Sequence, residues 1–240
     1  MGLLMETKAI LFDLDGTLVN TLRVFPQLIA EKFIPNPTPL KIRKYLHRLG
    51  EIYNEGDRHS WFKLKLFITI KADFNLSWIR LALGLMNVVW LFFQWDKERH
   101  IFPSVLSTLS YLKEQNLLLG IVSNGSPRLL KKRFGPHLDM FDVLIESKSI
   151  GVSKPSPVPL YYACSRLNIE TSEAIFVGDT LVDLLAAKNA DMKVILVRTG
   201  VFGDNFPIEK VNYFPLTIIS AVGENLINFL SAQFSNINHP

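Results

Sequence analysis

A chain of 240 residues is long enough for one large domain, or for a core domain that carries an insertion. Hydrophobic residues make up 48% and charged residues 20%, which excludes a disordered chain and fits a globular one. The net charge of +4 comes with no basic block or arm, so nucleic acid is not an expected partner and an anionic small molecule is.

The opening residues MGLLMETKAI lack the basic flank and apolar run of a signal peptide, and a cytoplasmic location is expected. KAILFDL (8–14) is the first predicted strand. It runs into Asp13 and Asp15, followed at once by Gly16 and Thr17. Two carboxylates so close repel each other and resist burial, so something must compensate them.

Residues 18 to about 100 change character. Helical periodicity appears in 22–33, 39–56, 59–74 and 76–95, with few strand-like runs, which predicts a mainly helical insertion after the first strand. PNPTP (35–39) would be a rigid break between its helices. All four tryptophans, Trp61, Trp78, Trp90 and Trp95, fall here and are expected to fill a compact helical core. The most apolar run, LALGLMNVVWLFF (81–93), is too short to cross a bilayer and suits a buried helix, so no membrane partner is expected. His47, His59 and His100 show no spacing of a metal site.

Beyond the insertion, strands are predicted at 117–123, 142–147, 174–179 and 193–198, with a weak last candidate, VNYF, at 211–214. Helices are predicted at 104–116, 127–134, 157–168, 181–190 and 219–232. Cys164, in the helix LYYACSRL, is the lone cysteine. It excludes an intrachain disulfide and reads as a small buried residue. Continuous apolar strands suit a parallel sheet covered on both faces, and strand–helix alternation implies right-handed crossovers. The expected fold is therefore α/β, a doubly wound parallel sheet built from residues 1–18 and 100–240, with the helical insertion at 19–99.

In such a sheet, ligands bind beyond the carboxyl ends of the strands. There the sequence places Asp13 and Asp15, then Ser123, Asn124 and Gly125, then Asp179 and Thr180 with Asp183 four residues past Asp179. Lys154, in KPSP, follows the third of these core strands. Four carboxylates, a hydroxyl and an ammonium suggest metal-assisted phosphoryl transfer. On an ideal strand Asp13 and Asp15 share one face, and Gly16 lets the chain turn away after them. A hard divalent cation would offset the charge of Asp13, Asp15 and Asp179, and magnesium fits best because it also bridges to phosphate oxygen. One aspartate can attack phosphorus and the other can handle protons. Ser123 with the adjacent N–H groups, including that of Asn124, could hold a phosphoryl oxygen, while Lys154 neutralises charge. Unaided phosphate monoester hydrolysis is so slow that these effects must supply on the order of 20 kcal/mol. Asp183 also reads as a helix N-terminal charge that complements the dipole.

DLDGT (13–17), the hydroxyl in SNG (123–125), KP (154–155) and GDTLVD (178–183) together resemble, in order, the four motifs of the haloacid dehalogenase-like hydrolase superfamily. The resemblance covers residues 7–20 and about 100–200, and the insertion resembles its type-one helical cap. It implies a Rossmann-like core. It also implies that Asp13 is the nucleophile and Asp15 the general acid and base. Asp13, Asp179 and the main-chain carbonyl of Asp15 would hold Mg2+, Asp183 would support the site directly or through water, and Ser123, Asn124 and Lys154 would bind the phosphoryl group. Asp191, in NADMK, stands where the family usually has glycine; aspartate tolerates a left-handed conformation better than most residues. The implied function is a magnesium-dependent phosphatase acting on a small phosphate monoester through an aspartyl-phosphate. The dehalogenase branch usually lacks an acid two positions after its nucleophile, and halide loss needs no protonated leaving oxygen, so Asp15 favours ester cleavage. A phosphomutase uses the same aspartates. A non-catalytic binding protein fits least, since every reactive position carries a competent residue.

Overall fold

Six parallel strands form one sheet in which the first strand of the chain lies between the second and the fourth, with the third at one edge and the fifth and sixth running to the other, so the sheet is wound outward in both directions from the first. The computed structural model describes residues 7–20, 101–125, 131, 134–147, 149–200, 213 and 215–235, with scattered positions between 34 and 77. The chain divides into two compact units, Met1–Asn20 with His100–Pro240, and Thr21–Arg99.

The first unit runs β1 (Ala9–Phe12), α1 (Val105–Glu114), β2 (Leu118–Ser123), a 3-10 turn (Gly135–Met140), β3 (Val143–Glu146) and α2 (Val158–Leu167). It continues with β4 (Ala174–Gly178), α3 (Leu181–Asn189), β5 (Lys193–Val197), β6 (Thr217–Ile219) and α4 (Glu224–Ser235). Each residue of β1 is paired on both sides: Ala9 lies opposite Leu118 and Ala174, and Phe12 opposite Ile121 and Val177. This is why AILF carries no polar residue. Alternate side chains point to opposite faces of the sheet. Ile10 and Phe12 join the layer under α1 and α4, with Leu109, Ile121, Val177 and Leu226. Ala9 and Leu11 join the layer under α2 and α3, with Leu160, Ala163, Phe176 and Leu184. Cys164 belongs to that second layer, and burial, aided by Glu170 and Glu173, pushes its thiol up to about 11.

The entry and exit of the inserted unit are tied together inside the first. Val19 pairs with Ile101 in an antiparallel bridge, and the Phe102 N–H donates to the Leu18 carbonyl at 3.1 Å. Within the insertion, positions 40, 41, 44, 68, 71 and 72 are helical. The predicted helices as wholes, the four tryptophans, the run 81–93, the three histidines and most of 35–39 and 127–134 lie outside the described residues.

One expectation lies mostly outside the described residues and one is corrected. Of 211–214 only Tyr213 is described, with its hydroxyl reaching the Met192 carbonyl at 2.9 Å, and the last described strand is the β-branched run Thr217–Ile219, which pairs with β5. The last helix begins at Glu224, not 219, because Ile219 belongs to the sheet and Val222 and Gly223 form the turn. A side chain at Gly223 would meet the Ser104 hydroxyl at 2.5 Å. At the end of α3, Asp191 has φ of +51°. Its N–H meets the Lys188 carbonyl at 3.1 Å while Met192 N–H meets Ala187 at 2.9 Å, a Schellman-type stop in which aspartate occupies the glycine position. Among the described residues no helix is long and apolar enough to cross a membrane.

Candidate active site

β1 and β4 are neighbours where the strand order reverses, the place at which an open α/β sheet leaves a crevice. β1 stops at Phe12, and the Asp13 N–H still donates to Val177 at 2.8 Å. The chain then makes one tight turn, with the N–H groups of Leu18 and Val19 both on the Leu14 carbonyl. Gly16 opens that turn at φ +92°, and a side chain there would overlap the Asp179 carboxylate. Glycine is thus required twice over, by conformation and by close approach.

At the end of β4, Asp179 is fully buried and Thr180 caps α3. Asp183 completes the capping box: its Oδ2 accepts from the Thr180 N–H at 3.0 Å, the Asp179 N–H at 3.3 Å and the Thr180 hydroxyl at 2.5 Å. Its Oδ1 accepts from the Lys154 ammonium at 2.7 Å, and the same ammonium donates to Asp13 Oδ1 at 2.5 Å. Lys154 is 2% exposed, and its Nζ lies 4.9 Å from the centre of the Phe176 ring. One ammonium therefore joins the ends of β1 and α3.

Ser123 closes β2, and its hydroxyl oxygen accepts from the Gly125 N–H at 2.9 Å, leaving its proton to donate elsewhere. The Asn124 side chain spends both polar atoms on Lys154, accepting from its N–H at 3.0 Å and donating to its carbonyl at 3.1 Å. Asp15 is half-buried and lies outside the cluster of acidic groups; a side chain on Gly125 would come within 3.2 Å of its Oδ2.

Asp13, Asp179 and Asp183 each present a carboxylate oxygen, all within 4.8 Å of one another, and together could hold a metal ion. Three buried carboxylates against one ammonium leave uncompensated negative charge. Burial pushes the Asp13 carboxyl up to about 7 despite the lowering effect of Lys154, with Asp183 and Asp15 adding to the rise. Asp179 is raised well above the ordinary carboxylate range, first by burial and then by Asp13 and Asp183. Burial alone would lower the Lys154 ammonium, but Asp13 and Asp183 outweigh it and hold the pKa above its usual value. Asp179 Oδ1 accepts from the Thr17 hydroxyl at 3.2 Å, whereas its Oδ2 is buried without a hydrogen-bond partner. A lone buried carboxylate oxygen among like charges is what a cation would satisfy, so the donor set fits a hard divalent metal.

Thr17, Thr180, Thr199 and Gly200 take roles in the site that the sequence did not give them. Thr17 steadies Asp179, and Thr180 orients Asp183. The Thr199 hydroxyl donates to the Gly16 carbonyl at 2.5 Å, and Gly200 packs so closely on Asp179 that any side chain would overlap the carboxylate. Thr180 was legible as the start of a T-x-x-D capping pattern, and Thr199 and Gly200 as the residues just past the fifth strand.

The family described as haloacid dehalogenase-like hydrolase matches residues 7–191. A phosphoglycolate phosphatase of Haemophilus influenzae is 28% identical over 231 residues, covering 86% of this chain and 92% of that protein. A glyceraldehyde 3-phosphate phosphatase of Pyrococcus furiosus is 29% identical over 204 residues, covering 82% and 83%. Among solved structures, a protein of Haemophilus somnus described as a predicted phosphoglycolate phosphatase superposes with a TM-score of 0.67 at 22% identity, covering 94% of this chain and 99% of that one. At that identity the likeness bears on the fold.

Proposed function

Because this chain belongs to the haloacid dehalogenase-like hydrolase family, we propose that it is a magnesium-dependent phosphatase of small phosphate monoesters working through an aspartyl-phosphate. The observation that carries this reading is the pairing of Asp13 with Lys154 beside the partnerless Asp179 oxygen. A carboxylate placed to attack, a cation for the phosphoryl charge and a buried oxygen without a hydrogen-bond partner meet at the switch point of the sheet.

Asp13 and Asp179, with the Asp15 main-chain carbonyl, would hold Mg2+, and Asp183 would support them. When bound, the metal neutralises charge on phosphoryl oxygens and returns the raised carboxyls to their ionised form. An Asp13 carboxylate oxygen attacks phosphorus and the ester P–O bond breaks. The leaving oxygen takes a proton from the Asp15 carboxyl. Asp15, now a carboxylate, accepts a proton from water as that water attacks the same phosphorus. The bond from phosphorus to Asp13 then breaks, releasing phosphate and restoring both residues. The Ser123 hydroxyl and the Asn124 main-chain N–H donate to phosphoryl oxygens, and Lys154 offsets charge on the group in transfer.

The inserted unit, 21–99, takes the part of the family's helical cap and selects the substrate. Short phosphorylated acids and aldehydes come first as substrates, since relatives covering most of this chain are named for phosphoglycolate and glyceraldehyde 3-phosphate. A cytoplasmic setting accords with the single cysteine. The test is phosphate release from these two esters and an aryl phosphate, with Mg2+ or a chelator, for the wild type and Asp13→Asn. Metal-dependent turnover that disappears in the variant is expected. Turnover that survives in Asp13→Asn would refute the nucleophile and the intermediate.

A further inference from the structure

We propose that Asn124 is a positioning residue that sets the Lys154 ammonium between Asp13 and Asp183. Asn124 follows β2 and is half-buried; Lys154 sits on the loop after β3. The two side-chain hydrogen bonds of Asn124, at 3.0 and 3.1 Å, land on the N–H and the carbonyl of one residue, Lys154. A single bond would leave that residue free to pivot, but two bonds on opposite sides of its Cα fix both place and rotation. The lysine stem is a flexible four-carbon chain, so where its root sits decides what its tip can reach. Here the tip must meet two carboxylates at once, at 2.5 and 2.7 Å, in a buried position. A displaced root would leave Asp13 or Asp183 without its counter-charge. Only an amide on a one-carbon stem offers an acceptor and a donor at this reach. The next carbonyl, that of Pro155, is held separately by the Asn189 side chain at 3.1 Å.

The catalytic consequence rests on the phosphatase reading; the placement of Lys154 does not, and the two are tested apart. The first arm is a double-mutant cycle of urea unfolding in chelator, with Asn124→Ala, Lys154→Met and the pair. Asn124→Ala is expected to lower the folding constant about tenfold more in the wild type than beside Lys154→Met, where no ammonium needs placing. Equal losses in both backgrounds would overturn the proposal. If Asn124→Ala does not fold, Asn124→Ser, too short to hold both groups, takes its place in the cycle.

The second arm measures aryl phosphate turnover with Mg2+. Asn124→Ala is expected to cut kcat about 100-fold with a smaller change in KM, since displacement of an aligned group by about 1 Å costs that much. Beside Lys154→Met the further loss should be under about threefold, and Asn189→Ala, which loosens the loop without touching either Lys154 bond, should also stay under about threefold. An effect confined to KM, or an equal fall in Asn189→Ala, would assign Asn124 to general loop integrity and sink the proposal. A wild type without turnover would refute the phosphatase reading, while the unfolding cycle would still decide what Asn124 does.

Discussion

Replacing Lys154 with methionine removes the buried ammonium that faces the three carboxylates, while keeping an unbranched side chain against Phe176. The ammonium is paired at 2.5 and 2.7 Å with Asp13 and Asp183, and removing one partner of a buried pair costs about 3–5 kcal/mol. For a chain of this size that is a fall in Tm of roughly 6–20 °C. The penalty must depend on pH. Lys154 holds the Asp13 and Asp179 pKa values down, so without it both rise further above the ordinary carboxylate range. A carboxyl whose folded pKa is raised contributes stability that is lost as pH climbs through that value. The deficit of Lys154→Met should therefore be smaller at about pH 5.5, where the raised carboxyls carry protons, and larger at about pH 8, where the wild-type Asp13 has lost its proton. Urea unfolding and thermal melts of both proteins in chelator at the two pH values measure it. A variant as stable as the wild type at the higher pH would refute the reasoning, because the carboxylates would then have their charge balanced by some other group.

Three further outcomes are expected. Mg2+ should raise Tm more at about pH 8 than at about pH 5.5, because protons on Asp13, raised to about 7, and on Asp179 compete with the cation at the lower pH; equal shifts would count against these carboxylates as ligands. Gly200→Ala drives a methyl group into the Asp179 carboxylate, which should cost about 1–3 kcal/mol in melts and weaken Mg2+ binding in calorimetry at least about tenfold; unchanged affinity would show that Asp179 is not held by this contact. Asp191→Gly relieves a φ of +51° at the end of α3 and should raise stability by about 0.5–1 kcal/mol in urea unfolding, and no gain would mean that aspartate is unstrained there.

Much of the fold was legible because the central strands are buried on both faces. AILF and AIFVG have no polar residue to hide, and such runs announce themselves without alternation. β6 was not legible because a three-residue edge strand carries too short a pattern to stand out. The start of α4 was missed because the turn before it is set by contact with Ser104, far away in the chain. Asp191 was legible, since only a few residue types stop a helix with positive φ.

Residue order alone sets which groups stand at the strand ends: Asp13 and Asp15 after the first, Ser123 and Asn124 after the second, Asp179 and Asp183 after the fourth. How they are joined follows from the packing of the sheet. The contact of Lys154 with Asp13 spans 141 positions, that of Thr17 with Asp179 spans 162, and that of Thr199 with Gly16 spans 183. The same packing puts the Asn124 side chain on the main chain of Lys154 and leaves one Asp179 oxygen buried without a hydrogen-bond partner. Local sequence carries periodicity, turn chemistry and the inventory of donors. The distance between charges and their removal from water arise only when strands remote in the chain pack side by side, and those two quantities set the electrostatics of the site.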